Sequence, residues 1–309
     1  MSGSVLLALL PVVLLIGLGH LLRRYAFLGE GFWPGAERLC YFVLLPSLFL
    51  QGLAAARLEA LPVPQLAGTL VLSTLAVAVL LVAVRPWLPV NGAAFTSVFQ
   101  GSIRFNNYIA ITLAAGLFGA EGVALAAICN AAIVPTVNVL CILVFGRFGD
   151  ARLSAAGIAR QIATNPLVLA CAGGILFQAT GTTLPAGLDP ALRALGAASL
   201  PLGLLCVGAA LDFGTVRSWI GPVAGSSAVR FLAMPLATMV AALTFRLEGA
   251  PLVVALLFQT MPTASSAYIL ARQLGGDAPL MAGIIAVQTL LAALAIPLVL
   301  AALVTFGLT

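Results

Sequence analysis

The chain has 309 residues, of which 62% are hydrophobic and 7% charged, and its mean hydropathy is +1.17. A soluble domain carries roughly a quarter charged residues to solvate its surface, so a water-solvated globular surface is excluded and the outer face meets lipid. The net charge of +5 comes from arginine alone, because the chain contains no lysine, and no basic run reads as a nucleic-acid patch.

A helix needs about 20 predominantly apolar residues to span a bilayer. Taken in order, charges, prolines and glycines separate ten such stretches, at roughly 5–22, 36–54, 64–84, 93–118, 121–146, 160–178, 190–211, 220–244, 250–273 and 279–306. The first has no basic residue before it and runs into Arg23 and Arg24, so it reads as the first span and not as a removed leader. The sixth is the shortest, and the fourth and ninth carry polar clusters at mid-membrane depth.

Arginine sets the orientation. With the N-terminus outside, the inner loops hold Arg23, Arg24, Arg38, Arg85, Arg147, Arg152, Arg160, Arg217 and Arg272, against Arg57, Arg193 and Arg246 outside. This predicts a multi-pass protein of a bacterial inner membrane, with both termini periplasmic and the 147–164 loop cytoplasmic. In that loop arginines alternate with Leu153, Ile158 and Ile162, a pattern of either a short interfacial helix at the anionic leaflet or a plain positive-inside linker.

A repeat is visible. Pro11-Val-Val-Leu and Gly19 match Pro166-Leu-Val-Leu and Gly174 at an offset of 155. Arg38 with Arg193 and Pro46 with Pro201 keep the same offset, and Asn107 falls opposite Pro262. One register thus aligns span 1 with 6, 2 with 7 and 4 with 9. It divides the chain into a first five-span repeat (1–146), a linker (147–164) and a second repeat (165–309). Five spans is an odd number, so the second repeat enters the membrane inverted, which is a transporter architecture.

An ionisable side chain inside a span costs roughly 2.5–3.5 kcal/mol on insertion scales, so it is a functional candidate by default. Two arginines qualify. Arg104 lies in Gln100-Gly-Ser-Ile-Arg104-Phe-Asn106-Asn107-Tyr, where glycine, serine and paired asparagines weaken the helix and compete for its backbone hydrogen bonds. Span 9 carries the matching interruption, Gln259-Thr-Met-Pro262-Thr263-Ala-Ser265-Ser266, in which proline removes a backbone donor. Paired interruptions of this kind point to a midplane binding site. The substrate-site candidates are Gln100, Arg104, Asn106, Asn107, Asn138, Pro262, Thr263, Ser265 and Ser266, with Arg104 expected to grip a carboxylate through its planar fork. Secondary candidates are Arg230, Gln51 and Gln288. Arg230 is open to three readings: neutralising a helix terminus, snorkelling to the inner interface, or lying on an anion path. Asn130, Asn138, Gln51 and Gln288 read either as cavity lining or as interhelical hydrogen bonds.

The nine acids fall in loops or near span ends, so no carboxylate pair at mid-depth is available for Na⁺ or a proton relay. His20, at the inner end of span 1, reads as interfacial. The five cysteines are scattered singly and read as packing residues, and no metal or cofactor is expected.

Together, Arg104-Phe-Asn-Asn-Tyr, Leu117-Phe-Gly-Ala-Glu-Gly122, Pro135-Thr-Val-Asn138-Val-Leu, Asn165-Pro166-Leu, Pro201-Leu-Gly-Leu-Leu, Gly208-Ala-Ala-Leu211, Met261-Pro-Thr-Ala-Ser265 and Leu274-Gly-Gly-Asp277 resemble the prokaryotic branch of the auxin efflux carrier family, related to the plant PIN transporters and to malonate and malate permeases. The resemblance covers the whole chain. It implies an all-α membrane protein of ten transmembrane helices, built as two inverted five-helix repeats with broken crossover helices 4 and 9, on a scaffold shared with bile-acid symporters and sodium/proton antiporters. It also implies a homodimer in membrane lipid. The carrier would move a small organic anion, mono- or dicarboxylate, by alternating access, with spans 3–5 and 8–10 moving against spans 1, 2, 6 and 7. Asn106 matches the family's crossover asparagine and Pro262 its second crossover proline. Span 4 departs from the pattern by lacking a proline, and Asn107 stands where threonine is common. Other readings are a sodium- or proton-coupled symporter of a larger amphipathic anion, or a membrane-embedded lipid-modifying enzyme.

Overall fold

A computed structural model describes residues 2–56, 61–149, 160, 163–182, 184–211 and 219–305, and all regular structure among them is helical. The helices are α1 (Ser2–Arg24), α2 (Phe32–Leu39), α3 (Leu45–Ala54), α4 (Val63–Val84), α5 (Gly92–Ile103), α6 (Asn107–Phe148) and α7 (Pro166–Thr180). They continue with α8 (Leu188–Ala209), α9 (Ile220–Ala228), α10 (Met234–Phe245), α11 (Gly249–Thr260), α12 (Ser266–Gln273) and α13 (Ala278–Thr305). Five helical stretches among the described residues are long and apolar enough to cross a membrane: Val63–Trp87, Gly92–Phe148, Leu188–Ala209, Ile220–Phe245 and Ala278–Leu303. Large side chains such as Leu80, Leu143, Leu236, Leu243, Leu294 and Leu298 stand exposed on these helices, as a lipid-facing surface requires. The protein is a helical, multi-pass membrane protein.

Helix ends follow local chemistry. Asn165 accepts from the backbone N–H groups of Leu167 and Val168, and Pro166 fits the first helical position, so α7 starts at Pro166, inside the sixth apolar stretch. Span 2 gains a turn at its start, from Phe32, and is widened at Cys40–Leu44 into a π-turn. The same happens at Val229–Ala233 in span 8. Both π-turns stand directly before a helix with proline in its second position, Pro46 and Pro235. A proline cannot donate to the carbonyl four residues back, and the ladder slips to a five-residue bond, Leu45 N–H to Cys40 O and Met234 N–H to Val229 O. α6 is divided by Gly119, whose dihedrals (φ 57°, ψ −133°) suit glycine alone. The expected interfacial helix at 147–164 lies largely outside the described residues, as do Arg57, Arg152 and Arg217.

The chain forms two compact units. One comprises Met1–Pro64, Asn107–Ala131 and Ile162–Ala210. Here α1 packs on α8 through glycines on both helices: a Cβ on Gly208 would stand 1.9 Å from Ile16 O, and one on Gly19 2.1 Å from Leu205 O. α3 rests on α7 across Gly174 and on α8 across Gly196. With lipid as apolar as leucine, close backbone approach at small residues is what holds such helices together.

The other unit comprises Gln65–Asn106, Ala132–Gln161 and Leu211–Thr309. α9 and α13 pack on α5 around Val98, Val223, Met281, Ile284 and Ile285. α11 packs against α10 and α13. This unit contains most of the candidate site.

Candidate functional site

α5 starts at Asn91, whose side chain caps Ala94 N–H, and ends at Ile103. Arg104 is already extended (φ −75°, ψ 154°), and helix resumes at Asn107. α11 ends at Thr260, and Met261 is likewise extended (φ −68°, ψ 145°), because the residue before a proline is pushed out of the helical region. The two non-helical segments meet: Asn106 N–H donates to Pro262 O at 2.8 Å.

Gln288, buried on α13, ties the two breaks together. Its Oε1 accepts from Thr263 N–H at 3.0 Å, and its Nε2 donates to Gly101 O at 2.9 Å and to Ser226 Oγ at 3.3 Å. The Thr263 hydroxyl lies 2.7 Å from Gly101 O and 2.8 Å from Gln288 Oε1. Thr263 and Gln288 are thus framework residues of the junction, satisfying backbone groups that the breaks expose.

Arg230 is fully buried, so it does not snorkel. Its Nε donates to Met261 O, Nη2 to Phe258 O at 2.9 Å, and Nη1 to Ile103 O at 3.3 Å and Ser102 O at 3.5 Å. These carbonyls end α5 and α11.

Arg104 differs. It is half-buried, its Nη1 donates to Asn138 Oδ1 at 3.0 Å, and its Nε has no partner. Gln100, four residues earlier in α5, is fully buried with both amide atoms unpartnered. An orphaned amide at this depth costs about 1–3 kcal/mol unless something bonds it. A guanidinium with an unpartnered N–H is equipped to receive a carboxylate. Ser265 and Ser266 are half-buried at the start of α12 in the same unit. Asn107, also half-buried with Oδ1 unpartnered, opens α6 and belongs to the other unit, as does Gln51, whose Nε2 donates to Asp189 Oδ1 at 3.3 Å. A groove of 490 Å³ between α9 and α13 is lined by apolar side chains such as Phe231, Leu291 and Leu298, a poor host for an anion.

The model of a family described as membrane transport proteins matches residues 150–300. A transporter of Methanothermobacter thermautotrophicus, described as uncharacterized, is 24% identical over 294 residues, covering 94% of this chain and 95% of its own. The two matches together support membership of the auxin efflux carrier family of membrane transport proteins.

A further polar contact escapes sequence reading. Gln259 Nε2 donates to Ser73 Oγ at 3.2 Å and Thr74 Oγ1 at 2.9 Å, joining α11 to α4, while its Oε1 has no partner. The signal was the adjacent Ser73-Thr74 pair in the middle of a largely apolar span. Ser226, which supports Gln288, likewise stood out only as a polar pair with Ser227.

Proposed function

We propose that this membrane transporter is a secondary carrier of a small organic anion, a mono- or dicarboxylate, working by alternating access. The observation that carries the reading is Arg104 just past the end of α5, with an unpartnered Nε, together with the wholly unpartnered Gln100 four residues before it in the chain. Asn106, Asn107, Asn138, Ser265 and Ser266 supply further polar groups nearby in the chain or the unit. In this reading the chain has ten spans in two inverted repeats, 1–146 and 165–309, joined by a cytoplasmic linker, with spans 4 and 9 crossing at their breaks. The carrier works as a homodimer in the cell membrane with both termini outside.

The moving body comprises spans 3–5 and 8–10, the fixed one spans 1, 2, 6 and 7. The division into compact units supports this in part: spans 1, 2, 6 and 7 fall in one unit and spans 3, 8, 9 and 10 in the other, with span 4 divided between Asn106 and Asn107 and span 5 between Ala131 and Ala132. A bound carboxylate would neutralise Arg104 while the moving body crosses the membrane, which lowers the barrier for the loaded carrier relative to the empty one.

The test is flux of labelled malonate, malate and indole-3-acetate into proteoliposomes, with and without a pH gradient. Saturable uptake of at least one, competed by other carboxylates and absent from empty liposomes, is expected. Folded, reconstituted protein that moves none of them would overturn the anion reading.

A further inference from the structure

α5 and α11 stop within one unit, and each leaves its last carbonyls without helical partners. A helix C-terminus carries about half a negative charge. Two together amount to about one, in a region with little water to solvate it. At the end of α5, Gly101 O is taken by Gln288 and Thr263. Ser102, Ile103, Phe258 and Met261 then present the carbonyls that the Arg230 guanidinium takes. Every acceptor of Arg230 is a backbone oxygen and none is a carboxylate. Its single positive charge therefore balances two helix ends and not an acid.

Carriers coupled to an inorganic cation hold that ion in the same kind of setting, between unwound backbone carbonyls and half-helix C-termini. Here a side chain already occupies it. The residue is set in the π-turn Val229–Ala233, a local widening that such turns often provide at functional positions. We infer that Arg230 is a tethered substitute for a coupling cation: its guanidinium fills the place between the ends of α5 and α11 that Na⁺ would take, so the protein needs no Na⁺ there, and deleting the side chain opens a carbonyl-lined site for a small monovalent cation. Arg230 is thus a positioning residue that keeps the two breaks together through the cycle.

The melting part of the test does not depend on the carrier reading, whereas the flux part rests on it. Purified protein is melted in NaCl, KCl or choline chloride at equal ionic strength, and with millimolar guanidinium added to choline. The wild type melts at one temperature in all four. Arg230→Ala melts lower in choline and recovers saturably with Na⁺, K⁺ or guanidinium, a response that loss of packing alone would not give. In proteoliposomes, wild-type malonate flux is unchanged when choline replaces Na⁺, and flux through Arg230→Ala is restored by the cation that restores melting. Overturning results are a wild type that requires Na⁺, an Arg230→Ala variant with equal melting in every salt, or an Arg230→Met variant that melts and transports like wild type. If Arg230→Ala is not recovered from membranes, wild-type flux and melting in choline decide. If neither wild type nor variant moves malonate, malate or indole-3-acetate while the melting pattern holds, the substrate reading fails and the cation inference stands.

Discussion

On the proposed carboxylate reading, Arg104→Ala removes a guanidinium that contributes little to the fold and much to the anion site. On the folded side it deletes the 3.0 Å bond to Asn138 from a half-buried position. That is worth about 1 kcal/mol, a fall of roughly 2–4 °C in melting temperature for a body of this size. On the binding side, two parallel charge-assisted bonds to a carboxylate are worth about 1.5–3 kcal/mol each before solvent screening. Taking the lower value for both gives about 3 kcal/mol, or roughly a hundredfold loss of affinity. Arg104→Lys keeps the charge but not the fork, so it should fall between alanine and wild type. The assay is initial flux against carboxylate concentration in proteoliposomes, normalised to folded protein by gel filtration, beside thermal melts of the same preparations. A melting temperature lowered by more than about 10 °C with unchanged apparent affinity would refute the reasoning and make Arg104 a structural residue.

The α1–α8 crossing should be intolerant of a single methyl group. Gly208→Ala places a Cβ 1.9 Å from Ile16 O, a backbone atom that no rotamer change can move, and should destabilise by about 1–3 kcal/mol in thermal melts. Gly221→Ala, with nothing within 4 Å of its Cβ, should be neutral or stabilising, and equal effects of the two would dismiss the packing account. For orientation, single cysteines introduced in the 147–164 loop and near the C-terminus, in a background lacking the five native ones, should react from opposite sides of the membrane. Labelling of the loop by an impermeant maleimide added to intact cells would reverse the topology.

Hydropathy made the spans legible because every one must present apolar side chains to lipid or to its neighbours, whatever its partners. The Arg104–Asn106 and Pro262 interruptions were legible for a similar local reason: asparagines compete for backbone bonds, and a proline excludes helix at the residue before it. Arg230 was open to three readings, because its acceptors come from two distant stretches, 102–103 and 258–261, and sequence spacing carries no sign of which helix ends a side chain will reach. Thr263 and Gln288 stood among the site candidates, yet they bond each other and Gly101, a closure that only the packing of α13 on α5 creates. The two π-turns had a local cause in Pro46 and Pro235, but proline alone does not distinguish a kink, a stop and a widened turn.

The two intramembrane arginines of this unit illustrate how burial assigns different work to the same side chain. Arg230 is at 0% exposure with both ends of its guanidinium bonded to carbonyls, so exchanging a partner would strand a charge in low dielectric at several kcal/mol. It is fixed through any motion that keeps α5 and α11 together. Arg104 sits just past the end of α5, half-buried, with one N–H unpartnered, and on the proposed reading it gains or loses an anion without breaking the junction. The proposed carrier has a use for both properties, a charge that holds its moving body in one piece and a charge that is neutralised only when cargo is aboard. Placed one at the closed junction and one at its open edge, the two arginines separate those roles, which is why the loss of Arg104 is expected to appear in affinity and the loss of Arg230 in cation-dependent integrity.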